Sequence, residues 1–450
     1  MEKQLPKQLL DSLEGLPGFN RESFAAAHQK PAWVSIRKNP FKDPGTLPNE
    51  SGRCWENTYY LSERPSFTHD PLFHAGCYYV QEASSGAVGS LFTYFMRGKG
   101  PLVVLDLCAA PGGKSTDILS HLSKESLLVS NEVIRSRVNA LSENITKWGT
   151  ANTIVTNNDP ADFKKLEGLF DVIIVDAPCS GSGLFRKDAE AIGEWSEENV
   201  KLCSRRQERI LEDVIPALKE TGLLIYSTCS YSKEENENIC DRIMEISSFD
   251  SVPKEGRPLT AERSLSEEHR AAGFRFYPDQ FKGEGFFVAC FIKKEGPGTL
   301  RMKNSTLKKV SSAEKELLEK FIRPDRFTFF RHNDNIHFIH RDHETLLGNL
   351  QQRLYIRNAG TIAGKIVHGE LVPDHALAMS IFLEAEVPRV NVDKATALKY
   401  LGREDIKLSS SSPGWIVICY EGHPLGWAKV LPNRVNNYYP KELRILKSLD

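Results

Sequence analysis

At 450 residues, with 40% hydrophobic and 26% charged side chains, the chain is too apolar for intrinsic disorder and long enough for about three domains at roughly 150 residues each. No apolar run approaches the roughly 20 residues that cross a bilayer, and Met1-Glu2-Lys3-Gln4 leads into no apolar leader, so a cytoplasmic protein without a membrane partner is expected. The net charge of −1 hides an asymmetry: residues 1–100 carry 11 basic against 10 acidic side chains, residues 101–295 carry 24 against 32, and residues 296–450 carry 23 against 17. The basic C-terminal excess suits a polyanion such as nucleic acid, and suits a solvated mixed surface equally well. Nine cysteines, an odd number with no C-x-x-C pair, disfavour a disulfide framework and a zinc knuckle, and no metal site is expected.

In chain order, Leu5 to Leu13 and Arg21 to Gln29 are short amphipathic stretches, and Ala32 to Arg37 reads as a strand. Asn39 to Ser51, rich in Pro, Gly and Asn, reads as a loop. Strands are then predicted at Leu102–Leu107 (one), Leu127–Ser130 (two), Thr153–Val155 (three), Phe170–Asp176 (four) and Gly222–Ser227 (five), with a late strand at Gly285–Ile292. Helices are predicted between them at Lys114–Leu122, Arg135–Trp148, Ser196–Leu218 and Lys233–Ile246. Strands separated by helical segments specify an α/β fold with a parallel, doubly wound sheet and helices on both faces. Glu295-Gly296-Pro297-Gly298 reads as a linker and Ser409–Ser412 as a loop. Short strand signals follow at Arg326–Phe330, Ile336–Ile339, Trp415–Tyr420 and Leu425–Val430. The organisation predicted is therefore residues 1–95, 96–295, 296–388 and a β-rich 389–450.

Asp106-Leu107-Cys108-Ala109-Ala110-Pro111-Gly112-Gly113-Lys114 joins strand one to its helix, where an open α/β sheet forms its ligand crevice. A P-loop would need Gly at position 108, which is Cys, and no G-x-G-x-x-G is present. Glu132, 19 positions past Gly113 at the end of strand two, is placed to accept from ribose hydroxyls. Asp159 follows strand three and is placed to accept from an exocyclic amine. Each acid alone is an ordinary solvated loop residue. Together, beside a turn that grips no phosphate, they point to S-adenosylmethionine.

Strand four runs into Asp176-Ala177-Pro178-Cys179-Ser180-Gly181-Ser182-Gly183, and strand five into Thr228-Cys229-Ser230-Tyr231. Both thiols are expected at the crevice edge. Cys54, Cys77, Cys203, Cys240, Cys290 and Cys419 read instead as packing. Carbon 5 of a pyrimidine is a poor nucleophile until a thiolate adds to carbon 6, and carbon 5 must afterwards lose its proton before that thiol departs. Two cysteines meet those two needs, with Asp176 at N3 of the base and Lys114 as a further donor. Spacing leaves open which thiol takes which task.

These motifs, with Arg186-Lys187-Asp188 and Tyr226-Ser227 beside them, resemble the NOL1/NOP2/Sun family of RNA cytosine-5 methyltransferases. Ser35–Pro40, Tyr79–Ser85 and Glu284–Ala289 carry further likeness, so the match spans roughly residues 30–295. The long basic extension is most similar to the bacterial 16S ribosomal RNA (RsmF-like) branch. The resemblance implies a Rossmann-like methyltransferase sheet preceded by an RNA-binding N-terminal region, with Cys229 as nucleophile and Cys179 aiding product release. It implies cofactor contacts from Cys108, Ala109, Ala110, Pro111, Gly112, Gly113, Lys114, Glu132, Asp159 and Asp176. DNA cytosine-5 methyltransferases share the chemistry but attack with the Pro-Cys thiol, and no DNA partner is expected. Many relatives carry His where this chain has Asp279, which leaves the role of that position open.

The partner implied is RNA, either 16S ribosomal RNA or the small subunit, met by a monomer. Arg186 and Lys187 are candidate backbone contacts, and Arg205 and Arg209 read as a helix face paired with Glu208 and Glu212. Residues from Arg389 onward resemble a PUA-like RNA-binding module, with Trp415 and Trp427 read as core. Two competing functions remain: a transfer RNA cytosine-5 methyltransferase, and a non-catalytic ribosome-assembly factor.

Overall fold

The structure, a computed structural model, describes residues 4–253, 259–296, 298, 300, 302, 307–408 and 413–446. The Ser409–Ser412 loop and Pro297 of the expected linker lie outside them. The described residues form four sheets.

The first sheet places Val34–Lys38 between Thr58–Leu61 and Tyr78–Val80, with Glu50–Trp55 at its edge. Glu50 and Ser51, expected in a loop, therefore open a strand; Asn57, at φ 59°, turns the chain so that Glu50–Trp55 pairs back onto Thr58–Leu61. Two helices precede this sheet, Lys7–Leu13 and Arg21–His28, the second capped by the Asn20 side chain on Ser23 N at 3.0 Å. Their buried Leu9, Leu13 and Phe24 pack on Phe185 and Tyr231, of the loops after strands four and five, and on Tyr277, which follows the strand Ala272–Phe276. The hydrophobic faces of these short helices are thus spent on the crevice rather than on their own sheet.

The large sheet runs in the order Glu262–Leu265, Ala272–Phe276, Phe286–Lys293, Leu218–Thr228 (five), Phe170–Asp176 (four), Val103–Asp106 (one), Leu127–Asn131 (two), Thr153–Thr156 (three), Ile356–Ala359. Strands one to five are mutually parallel, and their Val104, Leu105, Leu128, Ile173, Ile174 and Leu224 are fully buried, as strands covered on both faces require. The parallel expectation needs correcting at both edges. Phe286–Lys293 and the strands beyond it are antiparallel, and so is Ile356–Ala359, which arrives from the C-terminal part of the chain. Strand order reverses between strands one and four, and a crevice opens at such a switch point.

Helix limits also shift. The long helix spans Glu197–Val214 rather than reaching Leu218, because Pro216 has no N–H to continue the ladder and the chain tightens into a short 3-10 turn, Ile215–Ala217. The next helix begins at Glu237, not Lys233, because Asn236 at φ −118°, ψ −91° interrupts it. A third sheet, Phe327–His332, Asn335–His340, Thr361–Val367 and Glu370–Pro373, precedes the last, Arg389–Asn391, Gly414–Tyr420, His423–Leu431 and Arg434–Asn437. Trp427 is buried as expected, its indole donating to Asp374 O at 2.8 Å, while Trp415 is half-buried. The last sheet shares a core with the first: Ile36, Leu72 and Cys77 meet Tyr400, Leu401, Ile416 and Leu425.

Candidate active site

After strand one, Gly112 adopts φ +112°, open to glycine at little cost, and the helix Gly113–Leu119 starts at once. The loop is fixed through its backbone: Ala109 N donates to Asn131 O at 2.8 Å, Arg137 donates to Ala110 O at 2.7 Å and Asn144 to Pro111 O at 2.9 Å. Asn131, which the sequence reading passed over, ties three strand ends together. Its amide donates to Leu107 O and Asn158 O, and its Oδ1 accepts from Thr156 Oγ1 and Asn158 N, all within 3.1 Å. Arg37 of the first sheet reaches the same helix, donating to Thr116 Oγ1 at 2.7 Å and Gly113 O at 3.0 Å.

The expected acids stand at successive strand ends. Buried Glu132 accepts from Ile134 N at 2.9 Å and pairs with Arg137 at 3.3 Å. Asp159 accepts from Ala161 N at 3.0 Å and faces Arg209 at 3.4 Å, so Arg209 pairs with Asp159 and Glu212 with Arg242, not with each other. Each carboxylate retains lone pairs for a further donor. Asp106 lies below the loop, accepting from Ser115 Oγ at 2.7 Å with Oδ1 buried and unpartnered. Burial pushes its carboxyl up to about 7. The Cys108 thiol, likewise, is raised by burial.

Across the switch point, Asp176 Oδ2 accepts from Lys114 Nζ at 2.7 Å and Oδ1 from Ser227 Oγ at 2.8 Å. Burial acts to lower the Lys114 pKa, but the charge and hydrogen bond of Asp176 outweigh it and hold the ammonium above its ordinary value. The Cys179 and Cys229 sulfurs, each half-buried, lie 3.1 Å apart. Their loops touch where Gly183 N donates to Cys229 O at 2.8 Å; a Cβ on Gly183 would sit 2.3 Å from Gly285 O. The hydrogen bond with Cys229 and burial push the Cys179 thiol well above its ordinary value, so at neutral pH it keeps its proton; either sulfur can be the donor between the two.

Two residues missed in the sequence brace this side. Glu235 is buried and accepts from Ser180 N at 2.8 Å, Ser180 Oγ at 2.5 Å and Ser230 Oγ at 2.5 Å. Asn236 donates to Ser230 O at 2.9 Å and accepts from Thr228 Oγ1 at 2.6 Å. Both fall inside the predicted helix Lys233–Ile246. Arg186, a candidate backbone contact, is corrected: it is buried and donates to both Glu284 oxygens, at 3.0 and 2.8 Å, and to Gly283 O. Lys187 is exposed. Asp279 accepts from Ser23 Oγ at 2.6 Å and so anchors the helix Arg21–His28. Beside it runs a groove of about 930 Å³ with Lys30, Trp33, Arg64 and Lys282 on its walls. Trp33 is 46% exposed, with Lys282 Nζ 5.0 Å from its ring centre.

Comparison with known proteins bears on this geometry. Three family descriptions match: an N-terminal domain of 16S rRNA methyltransferase RsmF over residues 5–83, 16S rRNA methyltransferase RsmB/F over 97–292, and a methyltransferase RsmF PUA domain over 387–445. The ribosomal RNA small subunit methyltransferase F of Vibrio vulnificus is 30% identical over 475 residues, covering 98% of this chain and 97% of the relative. The chain belongs to the ribosomal RNA small subunit methyltransferase F family. The methyltransferase F of Shewanella baltica is also 30% identical, covering 98% of this chain and 96% of its own. This membership agrees with the resemblance carried by the motifs. Among solved structures, a methyltransferase homolog protein from Pyrococcus horikoshii is 30% identical at TM-score 0.50, covering 64% of this chain and all of its own. NSun6 from Pyrococcus horikoshii, 19% identical at TM-score 0.53 and covering 66% of this chain and all of its own, shares the fold. Both fit the Rossmann-like core expected for the methyltransferase F family, alongside its N-terminal and PUA regions. Among the described residues no helix is long and apolar enough to cross a membrane.

Proposed function

We propose that this chain forms 5-methylcytosine in 16S ribosomal RNA, with S-adenosylmethionine as methyl donor and Cys229 as the nucleophile. The carrying observation is the pair of sulfurs 3.1 Å apart beside the Asp176–Lys114 ion pair. The crevice fits that donor. Glu132, Asp159 and the unpartnered Asp106 Oδ1 offer acceptors at three neighbouring strand ends, and the nearby cation Lys114 is committed to Asp176. Such a lining suits a cationic adenosine-bearing ligand and would grip a phosphate poorly. The loop from Cys108 through Lys114, with Glu132, Asp159 and Asp176, would hold it. When bound, S-adenosylmethionine supplies an electrophilic methyl group.

The residues divide the remaining work. The Cys229 thiolate adds to carbon 6 of the cytosine, forming the S–C6 bond and moving an electron pair to carbon 5. Asp176, held by Lys114 and Ser227, would accept from the exocyclic amine and orient the base, and the Lys114 cation would offset the negative charge that develops on the ring. Once the Cys229 sulfur is bonded to carbon it carries no charge facing Cys179. Cys179, freed of its proton to solvent, then takes the hydrogen from carbon 5. The C5=C6 bond re-forms as Cys229 leaves. A base within folded RNA must be extruded for this, and the groove with Trp33, Arg64 and Lys282 offers flanking nucleotides an aromatic surface among cations.

Cys179→Ala should trap a covalent enzyme–RNA adduct on a denaturing gel. Cys229→Ala should form none and lose methyl transfer by at least about 1,000-fold while still binding the cofactor. An adduct with Cys229→Ala alone reverses the assignment. Bisulfite mapping of ribosomal and transfer RNA from a deletion strain identifies the substrate; RNA binding without methyl transfer from labelled cofactor would support an assembly factor instead.

A further inference from the structure

We infer that Glu235 is a positioning residue that sets the gap between the two thiols. It touches neither sulfur. Instead, its carboxylate binds the residue immediately after each cysteine: Ser180 through N at 2.8 Å and Oγ at 2.5 Å, and Ser230 through Oγ at 2.5 Å. Gln207 completes the shell, its amide 3.4 Å from Oε1 and 3.0 Å from Pro178 O. Glu235 also holds the chain below through its own carbonyl, which accepts from the Tyr226 phenolic hydroxyl at 2.6 Å.

The arrangement has the form of a clamp. Cys179 and Cys229 sit on loops from different strands, 50 positions apart in the chain, so no local rule fixes their separation. Asn236 braces Thr228 and Ser230, both on the Cys229 loop, and does not reach Cys179. The Ser180 and Ser230 hydroxyls, both bonded to the Glu235 carboxylate, are themselves 3.3 Å apart, while Gly183 N to Cys229 O and Tyr231 N to Ser182 Oγ cross between the loops further along the chain from strand four. Glu235 grips directly beside both sulfurs. An acid fits this place better than an amide. Every group aimed at it from Ser180, Ser230 and Gln207 is a donor, and a carboxylate is the side chain that only accepts. Burying a carboxylate is costly, and the charge-assisted bonds offset that cost.

The two thiols must act on adjacent carbons of one base, so their spacing bears on turnover and not on cofactor affinity. This part rests on the proposed function; the spacing itself does not. The test separates them by oxidising the full-length chain with diamide, without RNA or cofactor. The diazene takes two hydrogens from the thiol pair as one S–S bond forms, and peptide mass spectrometry reports the Cys179–Cys229 link. Glu235→Ala should slow that link about tenfold and lower kcat about 100-fold, the loss typical of a misplacement near 1 Å, with KM for S-adenosylmethionine unchanged. Glu235→Gln preserves volume and one acceptor oxygen, and should recover part of both losses. A wild-type disulfide rate in either folded variant overturns the clamp, even if activity falls. Wild-type chain that never methylates cytosine would refute the catalytic reading while the disulfide rates still judge the clamp.

Discussion

The two flanks of the switch point belong to one sheet yet hold their loops differently. On the side of strands one to three, the loop is pinned by its backbone and by the neutral Asn131, while acids stand singly at each strand end with lone pairs to spare. On the side of strands four and five, side chains are used up on one another: Asp176 on Lys114 and Ser227, Glu235 on two serines, Arg186 on Glu284. The first arrangement leaves acceptors free for a ligand that arrives and departs. The second fixes groups against one another, as bond-making needs.

The two flanks should therefore fail differently. Asp176→Asn keeps the shape but removes the charge paired with Lys114; kcat should fall about 100-fold or more, with a much smaller rise in KM for the cofactor. A pure KM effect there would break the contrast. Glu132→Ala should do the reverse, raising KM for S-adenosylmethionine roughly tenfold with kcat nearly intact, as loss of a hydrogen bond to a charged acceptor predicts. A third effect concerns stability. Burial raises the Asp106 carboxyl from 3.8 to about 7, so the folded chain keeps a proton that the unfolded chain releases near pH 4. Its contribution is full below about pH 4 and is lost as pH rises to about 7, a change on the order of a few kcal/mol. Asp106→Asn should flatten that stretch of the stability profile in urea unfolding of the cofactor-free chain. An unchanged slope would show that Asp106 titrates as an ordinary carboxyl.

What was legible in the sequence follows the range of the interactions. Strands one to five and the loops after them could be read because buried parallel strands are written as short apolar runs ending in Gly, Pro and Asp. The convergence of Cys179 and Cys229 followed from strand ends alone. Asn131, Glu235 and Asn236 escaped because an Asn or Glu beside a strand looks the same whether it faces water or ties loops dozens of residues apart. Arg186 misled for the same reason: its partner, Glu284, is 98 positions away. The antiparallel edges were missed because their pairing partners come from a different stretch of the chain.

The strand Ile356–Ala359 carries a consequence for biosynthesis. It covers the free edge of Thr153–Thr156, and the adjoining Tyr355 both donates to Asn158 Oδ1 at 2.8 Å and accepts from Asn157 N at 3.1 Å. The rim that carries Asp159 is therefore completed by residues made some two hundred codons later. A fragment ending near residue 292 would hold both thiols yet expose a bare strand edge, inviting another chain to pair there. Translation must pass residue 359 before the molecule can be whole on that side.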